Sequence, residues 1–424
     1  MTPALEPMRY TSPIMRPFLV GIALVFVLLL GFNLGLPLFA PDQPSPTRAN
    51  LEPKLEPVPD LGNALPFFSR ATAKMDLKKI EPRLFLQPGN WIQSEAARLL
   101  SGNTEALETF EVGIAKNKSF SPARDPYFQT YDQVSVVALP RDVQGWHQLG
   151  ELLLLRANLK LKSGDSKGAW QDFFLVWKAA NLIRNSKGSL LELDVGDSLG
   201  QLVLAQMRNA MRASQFEDKT WRSLLKNLQS QAPSSTALEE SLKSERRFFR
   251  LALDAATGKT PNQTLQINVA SPLVRFMPKA YALQSGKTLE TYTLWLEGIL
   301  QRAGNCPEAK EAEAPANPSF LNTNPLIPNS IGNALLTSWV PPYGLATRTC
   351  KLEQAFRATQ VTLALHATVA LTQGVPPANI NALEGRYFDK MPTDPFSASN
   401  QGFQWDINGK LLRSEDGTGY NVEF

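Results

Sequence analysis

"ATRTCKLEQAFRATQVTLALHATVALTQG", residues 346 to 374, decides the fold of this chain. Leu352, Ala355, Phe356, Thr359, Leu363, His366 and Ala367 recur at three- and four-residue steps, the spacing of one helical face, and Gly374 stands where a helix takes its left-handed end. The period predicts a long amphipathic helix from Ala346 to Thr372. The next stretch, "MPTDPFSASNQGFQWDINGKLLRS", residues 391 to 414, has an Asp394-Pro395 turn, a run with Phe403 and Trp405, an Asn408-Gly409 turn and a second run with Leu411 and Ser414. It reads as a β-hairpin. A two-stranded hairpin alone is marginal in water, so its apolar face is expected on the long helix.

Upstream of that pair the text is helical. Leu149, Leu152, Leu153, Arg156, Ala157 and Leu161 lead into Ser163-Gly164-Asp165, and Ala169, Trp170, Phe173, Val176, Trp177 and Ala180 follow at helical spacing. This is a helical hairpin. Further helices are expected over 188–213, 217–232, 236–257 and 287–303, with a long irregular connection over 258–285 carrying Gly258, Pro261, Pro272 and Pro278. The fold class is therefore mainly α, with a small α+β end in which a long helix packs on a β-hairpin.

Phe18 to Ala40 runs FLVGIALVFVLLLGFNLGLPLFA, with Asn33 its only polar side chain. At about 1.5 Å per residue it is long enough to cross a hydrocarbon core of roughly 30 Å. Arg9 and Arg16 precede it, while Asp42, Glu52 and Glu56 offset Arg48 and Lys54 after it, so the positive-inside bias expects a cytoplasmic N-terminus. A cleaved signal peptide is the rival reading, but the run exceeds an ordinary h-region and Leu38-Phe39-Ala40-Pro41 is a poor cleavage site. The prolines that follow expect an extended spacer holding the folded part off the bilayer. The chain then divides into a cytoplasmic tail (1–16), a transmembrane helix (17–40), a Pro-rich linker (41–75), an α-helical domain (76–305), a loop (306–330) and an α+β end (331–424). That organisation places the bulk of the chain outside the inner (cytoplasmic) membrane.

The bulk charge argues against nucleic acid as a partner: 43 basic residues are dispersed among 39 acidic ones, for a net +4 over 424 residues. Residues 195 to 200, Val-Gly-Asp-Ser-Leu-Gly, satisfy G-x-S-x-G and tempt a serine hydrolase at Ser198. The flanking Leu190, Leu193, Leu199, Leu202, Val203 and Met207 have helical spacing, whereas a nucleophilic Ser needs a sharp strand-to-helix turn, a His and an acid. His366 sits in an apolar helix, and His147 beside Trp146 reads as a packed or capping residue. Glu239, Glu240 and Glu245 interleave with Lys243, Arg246 and Arg247, a self-paired face. No catalytic residue, cofactor or metal site is expected. Cys306 and Cys350 are the only cysteines. On the oxidising side of the membrane one such pair commonly forms a bridge; two unpaired thiols are the alternative.

Two resemblances add to this reading. Gly164, Asp165, Ala169 and Phe173 resemble half of a tetratricopeptide unit, although no second copy appears at a fixed period, and an isolated hairpin explains them equally well. The order of a long helix, a Gly-x-Pro turn, a Leu-bearing turn and then Asp-Pro-aromatic text resembles the globular domain of type II secretion pseudopilins over 346–424. Asn324-Pro325, Gly332 and Asp394-Pro395-Phe396-Ser397 are similar to text in uncharacterised membrane-anchored bacterial proteins that join a helical region to such an end. A pseudopilin leader and processing site are missing, and the apolar segment is far from the long helix. The resemblance implies a calcium loop near the end, for which this chain offers Asp406, Glu415 and Asp416 with displaced spacing. The expected role is a non-enzymatic scaffold with protein partners in the cell envelope; an accessory part of a secretion or pilus-like machine is the alternative, and a hydrolase at Ser198 a remote one.

Overall fold

The computed structural model describes residues 58–76, 93–121, 141–257, 279–307, 328–338 and 344–424, with isolated positions before residue 58. Among them are α1 Leu65–Lys74, α2 Gln93–Gly102, α3 Thr104–Ile114, α4 Arg141–Lys162, α5 Ser166–Arg184 and α6 Leu190–Ala213. Then come α7 Asp218–Gln229, α8 Ala237–Thr257, α9 Lys279–Ala282, α10 Ser285–Gly304, α11 Ser330–Ser338 and α12 Leu345–Leu371. Three short strands close the chain: β1 Gln404–Asp406, β2 Leu411–Arg413 and β3 Gly419–Asn421. The molecule is mainly helical, with this small antiparallel sheet at its end.

The local reasons for the helices are visible. Gly164 takes the left-handed conformation (φ 84) in the turn between α4 and α5, and Asp165 caps α5 by accepting from the Gly168 amide at 2.9 Å. Ser189 and Glu192 form a capping box at the start of α6, reciprocally satisfying two amides that the first turn leaves free. Buried Glu192 accepts a further bond from Ser121, at 2.9 Å.

Helix α12 runs through the middle of this assembly, against α6 and α7 with α10 alongside. An amphipathic helix with one apolar side was expected; instead every residue from Val361 to Thr368 is buried. The polar letters mislead because Thr359, Thr362 and Thr368 donate their hydroxyls to the carbonyls one turn back, at 2.6, 2.8 and 2.9 Å. A threonine satisfied in this way presents its methyl group to the core. Phe356 stacks on Trp177 of α5 at 5.5 Å between ring centroids. One apolar cluster thus contains both the first helices and residues 352 to 422, and a second joins α8, α10, α11 and the start of α12. The sequence boundary at 306–330 does not divide the core.

The C-terminal hairpin gains a third strand that the sequence reading lacked. The sheet order is β1-β2-β3, with Trp405 opposite Leu412 and Leu412 opposite Tyr420. Gly417 (φ 87) makes the second turn, whose Asp416 accepts from the Thr418 amide and hydroxyl. The first turn also differs from the expected two-residue Asn-Gly loop. Residues 407 to 410 all lie between the strands, and Lys410 (φ 49) rather than Asn408 is left-handed. Asp406 holds this loop by accepting from the Gly409 amide at 2.9 Å. Phe403, Leu412, Tyr420 and Val422 are buried in the same cluster as α12.

A buried polar chain fastens the sheet to the helix. Asp394 of the Asp-Pro-Phe-Ser stretch accepts from the amides of Phe396 and Glu415 and from Ser414 Oγ at 2.6 Å. Ser414 in turn accepts from Gln354 Nε2 at 2.5 Å, and Gln354 Oε1 accepts from the Tyr420 hydroxyl at 2.8 Å. Each buried group has its partner, so the network fixes one register between helix and sheet.

The linker expected over 41–75 ends earlier. Residues 65 to 74 form α1, whose Leu65, Phe68 and Ala71 are buried, with the Phe68 ring 4.5 Å from that of Phe110. Asn63 anchors the entry by bonding both ways to the backbone of Phe120. Asp42 departs from the spacer reading too: its carboxylate accepts from Ser285 Oγ and the amides of Gly286 and Lys287 at 3.1 to 3.2 Å, capping α10 from a distance. The expected span 17–40 lies largely outside the described residues, and among the described residues no helix is long and apolar enough to cross a membrane. The described part of the 258–285 connection includes the short helix α9.

Cys306, just past α10, is joined to Cys350 in the first turns of α12, with Cα atoms 5.6 Å apart across 44 residues. Closing a loop of that length constrains the unfolded chain by about 4 kcal/mol in the chain-entropy model. Denatured, unreduced protein should therefore show no reactive thiol and reduced protein two, and Cys306→Ser/Cys350→Ser should lose stability of about that size in denaturant melts.

Candidate functional site

The G-x-S-x-G stretch lies in the middle of α6, where helical spacing placed it. Its two glycines serve packing. A Cβ at Gly196 would lie 2.8 Å from the Arg184 backbone nitrogen of α5, and one at Gly200 would lie 2.8 Å from Leu352 of α12. Leu199 is a core residue set against Gly150 of α4. Asp197 is fully buried and accepts from Arg184 Nε at 2.6 Å and Thr349 Oγ1 at 2.9 Å. Burial pushes its carboxyl above the ordinary range, against the opposing pull of Arg184. Beside it Asp194 pairs with Arg348. Four of these five positions are thus explained by the approach of three helices.

The fifth, Ser198, is exposed, and here the structure corrects the sequence reading. His147 is not merely a packed residue: its Nε2 lies 3.3 Å from Ser198 Oγ. Its other nitrogen, Nδ1, lies 3.4 Å from Glu151 Oε1, one turn further along α4, and Glu151 is buried. Hydroxyl, imidazole and carboxylate therefore follow one another in the order of a nucleophile, its base and the group that orients the base. The sequence signal was the i, i+4 pair His147 and Glu151, but its meeting with Ser198 depends on how α4 packs beside α6. Among the described residues no pair of free amides stands beside Ser198 for a developing oxyanion. Ser198 is an interior helical residue, and the amides about it belong to the helix ladder.

The remaining candidates are occupied structurally. Lys243 pairs with Glu239 and Glu240 at 2.8 and 3.0 Å, as a self-paired face requires. Glu245 does something else, accepting from the Leu190 amide at the start of α6 and from the Tyr292 hydroxyl. Asp406, Glu415 and Asp416 do not converge: Asp406 and Asp416 hold separate turns, and the Glu415 amide donates to Asp394. Among the described residues no group of three or more His, Cys, Asp or Glu side chains could hold a metal ion. Arg156 bridges Asp172 of α5 and Glu111 of α3, and Lys160 joins the same Asp172.

His366 is buried in α12 with its ring 5.0 Å from both Trp221 and Phe424. Burial lowers its pKa to about 4 from an ordinary 6.5, so the folded protein holds it neutral. The unfolded chain binds this proton first, so the contribution is complete above about pH 6.5 and falls as the pH drops toward 4. Denaturant melts should lose roughly 2 kcal/mol between pH 7.5 and pH 5 through this residue, and His366→Leu should flatten that dependence.

No protein-family model, curated protein or solved structure matches the chain.

Proposed function

We propose that this protein is a single-pass, membrane-anchored component of the bacterial cell envelope whose folded body is a non-enzymatic scaffold for other proteins. The observation that carries the reading is the apolar segment before the body. Its described residues are helical, and consecutive Leu24, Val25, Phe26, Val27 and Leu28 each expose more than half of their surface. Five successive helical positions cover every side of a helix, so the segment is apolar all round and suits lipid rather than a one-sided protein contact. Asp42, clipped to the first turn of α10, ties the exit of this segment to the body. The disulfide accords with an oxidising compartment.

Carbonate extraction of membranes should leave the full chain in the pellet, and removal of residues 17–40 should release the body. Recovery of the chain in the soluble fraction with its first forty residues attached would end the anchored reading. Crosslinking in intact membranes should then trap a partner protein; trapping components of a secretion or pilus-like machine would support the role of an accessory part of such a machine.

The alignment of Ser198, His147 and Glu151 favours a second reading, an acyl-transfer or hydrolytic serine. No free pair of oxyanion donors stands beside Ser198 among the described residues, which puts this reading second, because one such donor alone is worth about a hundred- to a thousandfold in rate. A fluorophosphonate probe should leave Ser198 unlabelled at neutral pH. Labelling that disappears in Ser198→Ala and in His147→Gln would put catalysis first.

A further inference from the structure

A cleft of about 970 Å³ lies between the segment leading into α1, the turn after α3, one face of α5 and the residues after α7. Three lysines are among its lining residues, Lys118, Lys178 and Lys187, and none of its lining residues is acidic. Lys178 donates to Asn117 Oδ1 at 3.2 Å, and Lys187 stands 3.8 Å from Glu240 outside the lining. Among the described residues no carboxylate pairs with Lys118 or Lys178. Lys187 is thus paired, while Lys118 and Lys178 place positive charge in a concave site with no carboxylate partner among the described residues, where low-dielectric walls strengthen their field.

Two features narrow the ligand. The first is hydrogen bonding: Gln231 Oε1 is buried in this wall and receives no hydrogen bond among the described residues. It calls for an N–H or O–H donor from outside, as a peptide backbone supplies. The second is shape. Lys178, Asn181 and Leu182 of α5, with Asn185 just past its end, form one stripe about 10 Å long, which an extended peptide of three or four residues would cover. Val58 and Pro59 add apolar contact, while Phe120, the one aromatic residue of the lining, is buried and offers no platform for a sugar ring.

Lys187 adds an independent observation. Its backbone is left-handed (φ 55), a conformation that glycine adopts without cost and lysine does not. A lysine there accepts strain and places a charge at the cleft.

We propose that this cleft binds an extended acidic peptide segment of a partner protein. The proposal rests on the scaffold reading above and supplies the chemistry of its partner. Fluorescence polarisation of the full chain in detergent, with labelled hexaglutamate as probe, tests it. Hexaglutamate should bind, hexalysine should not, and Lys118→Glu/Lys178→Glu should weaken binding by roughly tenfold or more, since reversed charges repel the ligand. A control pair on other faces, Lys219→Glu/Lys390→Glu, should leave it unchanged. Lys187→Gly should fold at least as stably and bind more weakly. If the charge-reversed pair folds poorly, Lys118→Gln/Lys178→Gln carries the same comparison.

Equal losses in the control pair would mean that the overall positive charge, and not the cleft, holds the peptide, and the proposal would fall. Tighter binding of trigalacturonate than of hexaglutamate would replace the peptide with an acidic glycan. Absence of peptide binding alongside successful partner crosslinking in membranes would remove the acidic-peptide assignment and leave the scaffold reading standing.

Discussion

The structure depends on burying α12 on nearly every side. A helix so placed has no solvent to satisfy its polar side chains, so each must find a partner within the protein. Thr359, Thr362 and Thr368 turn back to their own helix, Thr349 donates to Asp197, Gln354 joins the chain from Asp394 to Tyr420, and Arg208 of α6 donates to Ala355 O and Thr359 Oγ1. Arg208 also lies 4.8 Å from the centroid of the Tyr420 ring, and burial lowers its pKa to about 10, which leaves it charged at neutral pH. One helix thereby holds α6 on one side and the small sheet on another, while the disulfide pins its start to α10.

That constraint explains why a motif associated with catalysis stands where it does. Helices α5, α6 and α12 approach one another at Gly196 and Gly200, and the buried Arg184 and Asp197 pair lies at the same junction. Small residues permit the approach; the ion pair gives it a defined register, since either charge left alone in that place would be strongly unfavourable. Ser198 points away from the junction and meets His147. The resulting row of three side chains is a consequence of helix packing, and among the described residues the amides about Ser198 belong to the α6 ladder.

The charged groups of the body fall into two kinds. Some are spent on structure: Arg156 and Lys160 on Asp172, Glu245 on the start of α6, Asp42 on the start of α10. Lys118 and Lys178 at the cleft are different in having no carboxylate partner among the described residues, and Lys187, paired with Glu240, shares their concave wall. Cations without a carboxylate partner in a concave site have more to gain from an outside anion than dispersed surface charges, which water and salt already screen.

The sequence by itself determined the helices, because their apolar spacing and caps are local: the observed limits of α6, α7, α8, α10 and α12 follow the expected ones closely. It also named the only two cysteines that could pair, and it recognised that Gly-Asp-Ser-Leu lay on a helix. Tertiary structure decided what those helices face. The buried threonines of α12 read as polar because the hydroxyl bond one turn back is invisible in a hydropathy pattern, and the third strand was missed because Gly419 to Asn421 is too short to carry a period. The meeting of His147 with Ser198, the capping of α10 by Asp42 and the gathering of Lys118, Lys178 and Lys187 join residues far apart in the chain. Such contacts arise from the packing of α12 and its neighbours, and no local spacing encodes them.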